Sequence, residues 1–184
     1  DPTLYGRGAH TPFERQAGIT VETNYFGTLG VTQAMLPLLR ASQSSPRVVV
    51  VASSAGRLRG PPKLQAQFTS PSLDVPALSS LMRDFVRDVE GGEHLARGWP
   101  NTCYGVSKMG LIALTKVLAR EEPTILVTSA DPGYCATDQN NNQGHVSPAA
   151  GAETPALLAS APLEKGLSGG HFYEGREIPW SYGQ

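Results

Sequence analysis

The chain has 184 residues, 40% of them hydrophobic and 17% charged, with a formal net charge of −1. That length supports one domain with a sizeable core. The charge balance gives no basic excess for nucleic acid and no acidic run for a solvating tail. No apolar run approaches the roughly 18 residues of a membrane span, so none is expected. Cys103 and Cys135 have no Cys-x-x-Cys or His partner at metal spacing, and read as reduced thiols of a cytosolic protein. Asp1-Pro2-Thr3-Leu4-Tyr5 has neither the basic region nor the apolar core of a signal peptide.

Residues 1–12 are rich in Gly, Pro, Thr and His and read as loop. Gly6-Arg7-Gly8 is no phosphate loop, since no strand precedes it and no third glycine follows. Residues 13–40 carry Phe13, Ala17, Val21, Tyr25, Leu29, Leu38 and Leu39 at helical spacing. The spacing predicts a long helix, irregular near Gly27 and Gly30, with a polar Asn24 inside its apolar pattern. Val48-Val49-Val50-Val51-Ala52 is a β-branched run without alternation, as in a parallel strand covered on both faces. It ends in Ser53-Ser54-Ala55-Gly56, small residues where open α/β sheets bind ligands. Residues 57–100 are polar and proline-rich, with an amphipathic helix over 78–89.

Asn101 or Thr102 is the candidate cap of the next helix. That helix carries Tyr104 and Lys108 and ends near Glu121-Glu122-Pro123, where two glutamates oppose its dipole. Positions i and i+4 share one helix face, so phenol and ammonium point into one site. A free phenol, with a pKa of about 10, is a poor acid at neutral pH, and a nearby lysine cation pulls that value down. Such a pair makes a proton donor for a carbonyl oxygen. Ile125–Ala130 is a second buried strand, ending in the turn Asp131-Pro132-Gly133-Tyr134-Cys135-Ala136-Thr137-Asp138. Ser147 caps a small-residue helix running to about Ser160, with Pro148 in its first turn. A short last strand falls at 169–173, and the tail holds Trp180. Strands alternating with helices predict a Rossmann-like, doubly wound parallel α/β sheet.

Asn24, Ser54, Tyr104 with Lys108, and Pro132-Gly133 converge on one crevice. With Thr23-Asn24-Tyr25-Phe26-Gly27-Thr28, the run 47–54, Gly98-Trp99-Pro100 and Gly151-Ala152-Glu153-Thr154-Pro155, the chain resembles the short-chain dehydrogenase/reductases. More narrowly it resembles the monomeric carbonyl reductases. The resemblance runs over nearly the whole chain and implies a single domain over 1–184. Segment 57–100 then corresponds to the inserted helical segment that in this group covers the oligomerisation face, which implies a monomer.

The resemblance also implies roles. Tyr104 is the proton donor to the carbonyl oxygen, and Lys108 lowers its pKa and contacts the nicotinamide ribose. Ser54 polarises the substrate carbonyl, and Asn24 anchors a water in the proton relay. Asn24, Tyr104 and Lys108 border the cofactor, as do Pro132, Gly133, Cys135, Ala136 and Thr137. Ser54, Tyr134 and Trp180 face the substrate. The implied activity is NADPH-dependent reduction of ketones, aldehydes or quinones by a cytoplasmic enzyme, with NADPH over NADH resting on the resemblance alone. The family's glycine-rich nucleotide loop and first four strands have no counterpart here and are expected before Asp1. An alternative is an inactive fragment that acts as a binding or regulatory module.

Overall fold

The computed structural model describes residues 11–162 and 165–181. The loop expected over 1–12, with its Gly6-Arg7-Gly8 turn, lies outside them as far as His10. A helical run opens as α1 (Phe13–Val21), passes through a π-helical turn at Glu22–Phe26, and continues as α2 (Gly27–Ala41). The irregularity therefore falls around Asn24, one turn earlier than Gly27 and Gly30 suggest. The glycines themselves sit in regular helix. Single π turns cluster at functional sites because they re-aim side chains, and here the turn carries Asn24.

Strand β1 (Arg47–Val51) follows, then a 3-10 turn at Ser54–Gly56. Segment 57–100 holds two helices, α3 (Pro62–Thr69) and α4 (Val75–Glu90). The composition of 57–77 hides α3. It starts with Pro62 in its first turn, where a missing N–H costs nothing, and buries Leu64 and Phe68 one turn apart. The Asp74 side chain caps α4 by accepting from the Ala77 N–H at 2.8 Å. Helix α5 (Cys103–Glu121) leads to β2 (Leu126–Asp131). Helix α6 (Pro148–Ser160), capped by Ser147, precedes β3 (His171–Tyr173) and β4 (Arg176–Glu177).

The sheet order is β1-β2-β3-β4. The first two pairings are parallel, with Val50 opposite Ser129 and Asp131 opposite Tyr173. The last is antiparallel, a departure from the all-parallel expectation. Glu174 and Gly175, both at positive φ, make the two-residue turn that permits it. Along the valine run, Val48 and Val50 join the core shared with α1, α4 and α5, while Val49 packs with Ala130, Phe172 and Leu158 of α6. Both faces are thus covered, which is why the run shows no alternation. Val51 is 48% exposed, and among the described strands β1 pairs with β2 alone. No described helix is long and apolar enough to cross a membrane.

The glutamate pair ending α5 is accommodated by α2. Arg40 grips Glu122 with two donors, Nε reaching Oε2 at 2.9 Å, and this holds the Glu122 carboxyl below its ordinary range. An Arg–carboxylate fork supplies the opposite charge that the helix dipole cannot.

The serine turn after β1 packs directly onto the α5 backbone. A Cβ on Gly56 would lie 2.5 Å from the Lys108 carbonyl carbon and 2.7 Å from its oxygen. Backbone on both sides leaves no soft side chain to give way. Gly56→Ala should therefore cost about 1–3 kcal/mol, as overpacking does, and lower the denaturation midpoint. An unchanged midpoint would mean that the turn stands off α5.

Candidate active site

Helix α5 fixes the Tyr/Lys pair. The Thr102 side chain caps it, accepting from the Gly105 N–H at 3.0 Å. From Cys103 onward the helix is mostly buried, between β2, α1 and α4. A helix packed on several sides cannot rotate, so the exposed Tyr104 and the half-buried Lys108 are held on one face. The Lys108 ammonium lies 5.6 Å from the centroid of the Tyr104 ring and donates to the Val51 carbonyl at 3.0 Å. It thus stands at the carboxyl end of β1.

The serine doublet divides its tasks. The Ser53 hydroxyl bonds to the Tyr104 phenol, and it also accepts from the Ala55 N–H at 3.2 Å. Ser54, the serine that sequence reasoning singles out, has an exposed side chain. Its N–H donates to Asp131 Oδ2 at 2.7 Å. The other carboxylate oxygen accepts from the Gly133 N–H at 2.9 Å. Asp131 is only 4% exposed. One buried carboxylate therefore ties the serine turn to the Pro132-Gly133 turn.

This carboxylate changes the electrostatics of the pair. The phenol of Tyr104 is pushed up from its ordinary range, chiefly by desolvation; the Ser53 hydrogen bond works against this, and the Asp131 charge works with it. The lowering expected from Lys108 does not appear. The ammonium of Lys108 is itself pushed down by desolvation, with Asp131 partly restoring it.

Asn24 reaches α5, though its amide does not stand free. It donates to the Ser107 hydroxyl at 3.0 Å, and Ser107 donates to the Tyr104 carbonyl at 2.8 Å. The π turn of the first helix is thereby tied to the backbone that carries the phenol.

The Pro132-Gly133 loop lies where the sequence places it, with Gly133 at φ 76°. The amides of Cys135, Ala136 and Thr137 are engaged internally, with Gly133 O, Val146 O and Asn140 Oδ1. Segment 138–147 folds back and pairs Cys135 with Val146. The side chain of Cys135 likewise bonds to the Pro132 carbonyl. Tyr134 is exposed, its ring 6.0 Å from that of His145. Trp180 is buried and donates its indole N–H to Gly56 O at 3.0 Å, bracing the serine turn. A cavity of about 520 Å³ opens at the end of β2, walled by Asp131, Pro132, Val146, Gly151, Thr154 and Tyr173. No cluster of three His, Cys, Asp or Glu able to hold a metal occurs among the described residues.

Two contributors escape sequence reasoning. Ser53 is hidden by its neighbour, because a doublet at a strand end does not say which hydroxyl turns inward. Asp131 reads as the first residue of a turn. Its signal is a carboxylate directly continuing a fully buried strand, a position where an unpaired charge would be costly.

No protein-family model matches the chain. Over 181 residues the chain is 37% identical to carbonyl reductase (NADPH) 1 of Rattus norvegicus, covering 92% of this chain and 64% of that protein. It is 38% identical over 176 residues to (+)-neomenthol dehydrogenase of Capsicum annuum, covering 93% of this chain and 55% of that protein. Salutaridine reductase from Papaver somniferum superposes with a TM-score of 0.77 at 27% identity, over 87% of this chain and 57% of that one. The chain thus spans less than two thirds of the length of these relatives. In sequence and in its doubly wound sheet alike, the chain is similar to short-chain dehydrogenase/reductases of the carbonyl reductase type.

Proposed function

We propose that this chain carries the proton-transfer side of an NADPH-dependent carbonyl reductase acting on small-molecule ketones, aldehydes or quinones. The observation that carries the reading is the phenol of Tyr104, hydrogen-bonded to Ser53 and one helical turn from Lys108, at the carboxyl edge of a parallel sheet. That edge is where open α/β sheets bind their ligands. The named relatives are two reductases and one dehydrogenase.

The donor set suits the nicotinamide end of such a cofactor. Tyr104 offers a hydroxyl, Lys108 an ammonium, and Gly133 a backbone turn without a side chain. Because the amides of 135–137 bond internally, the reading keeps only Pro132 and Gly133 from that loop as cofactor contacts. When bound, NADPH supplies the hydride. The remaining tasks fall to the chain. With its pKa above the ordinary range, Tyr104 bears its proton at neutral pH and gives it to the oxygen as that oxygen gains charge. Ser54 has an exposed hydroxyl suited to polarising the carbonyl, while Ser53 holds the phenol. The Lys108 cation compensates the phenolate left behind. Asn24 acts through Ser107 as a positioning residue.

Helix α4 lies against α1 and α5. We read 57–100 as an insert covering a face that would otherwise be free to associate, within one domain, and we expect a monomer. A dimer in sedimentation analysis at micromolar concentration would contradict this. The free thiols Cys103 and Cys135 suit a cytoplasmic location.

The direct test is menadione-dependent NADPH oxidation by the protein in its natural full length. Tyr104→Phe should lower turnover at least about 100-fold, the usual worth of a general acid. Ser53→Ala removes a bond that lowers the phenol's pKa, so the alkaline limb of the pH profile should move upward. Turnover surviving in Tyr104→Phe would remove Tyr104 as the acid. No turnover by the unsubstituted protein would favour the binding-module alternative.

A further inference from the structure

A second cavity, of about 510 Å³, opens between α3, α5 and residues 177–181. It shares no lining residue with the cavity beside Asp131, nor with the Tyr104 site. Its size falls within the range of small-molecule sites. Lys116 and Arg120 stand one turn apart on the α5 wall, and Phe68, Leu73, Val117 and Trp180 supply apolar surface.

Both cations are held in place by the fold. Lys116 donates to the Gly169 carbonyl at 3.1 Å and Arg120 to the Leu73 carbonyl. An ammonium has three donors and a guanidinium five, so each keeps donors to spare. The third polar group is more telling. His171 lines the cavity and is 1% exposed. Its Nδ1 lies 3.0 Å from the Ser129 hydroxyl, while its Nε2 has no hydrogen-bond partner among the described residues. A buried nitrogen left unpaired is costly and calls for an explanation. Burial lowers the pKa of His171 to about 4, so the ring is neutral at pH 7. Glu177 is the one carboxylate among the described residues of the lining. Two cations against one carboxylate leave an excess of one positive charge.

We infer that this cavity is a binding site for a small monocarboxylate with a flat apolar body, separate from the reductase site. The carboxylate meets Lys116 and Arg120, the body lies against the apolar wall of Phe68, Leu73 and Trp180, and His171 Nε2 takes a polar edge of the ligand. Monoanions are favoured over dianions because Glu177 cancels one of the two cations. The inference stands whether or not the reductase reading holds.

Benzoate is the probe and benzamide its neutral counterpart, with binding followed by calorimetry and by the His171 ring signals in NMR. Benzoate should bind saturably and perturb the His171 signals, and benzamide should bind more weakly. Lys116→Gln and Arg120→Gln should each weaken benzoate about tenfold, the loss of one charge-assisted hydrogen bond. Tyr104→Phe should leave benzoate binding unchanged. No saturable binding, equal affinity for benzamide, unmoved His171 signals, or loss of binding in Tyr104→Phe would each overturn the inference.

Discussion

A carboxylate with almost no contact with water sits where two parallel strands end, and each of its oxygens accepts one backbone N–H. The rest of the candidate site depends on this arrangement at Asp131. Burying such a group without partners is heavily unfavourable. The Ser54 and Gly133 amides must therefore stay in place for β2 to end as it does. The serine turn and the Pro-Gly turn become one unit, and the turn's contact with α5 at Gly56 sets that unit against the Tyr/Lys face.

The same charge adds to desolvation in setting the character of the Tyr104 phenol. In isolation, a lysine one turn away would lower a phenol. Here desolvation and the Asp131 field outweigh it, so Tyr104 is a phenol that keeps its proton and needs help to release it. Ser53 gives part of that help, its hydrogen bond favouring the phenolate. Lys108 is held toward the Val51 carbonyl and is itself desolvated. On the proposed reading, a phenol that stays protonated until charge develops on the oxygen before it suits a reduction, where the proton must follow the hydride.

Much of this was legible in the sequence. The unalternating valines announced a covered parallel strand, because each face meets a different apolar layer. The Tyr104–Lys108 spacing placed both groups on one helix face, and Asn101 or Thr102, and Ser147, were readable as candidate caps because a side-chain oxygen before an apolar-periodic run has few other uses. What was illegible depends on partners distant in sequence. Asn24 reads as an isolated amide until Ser107, 83 residues away, is seen to hold it. The glutamates after α5 look unfavourable until Arg40 reaches Glu122. Helix α3 is masked by its prolines, and the β4 hairpin by its shortness. Nothing in the sequence around Trp180 tells that its indole N–H satisfies a backbone carbonyl beneath the serine turn.

If Asp131 organises the site as described, it must be felt at the phenol. Titrating the Tyr104 ring by NMR, with and without Asp131→Asn, measures this directly. The account requires a pKa above the ordinary value of about 10, falling when the carboxylate is replaced by an amide that keeps similar size without charge. A Tyr104 pKa at or below about 10, or one that Asp131→Asn leaves unmoved, would contradict it.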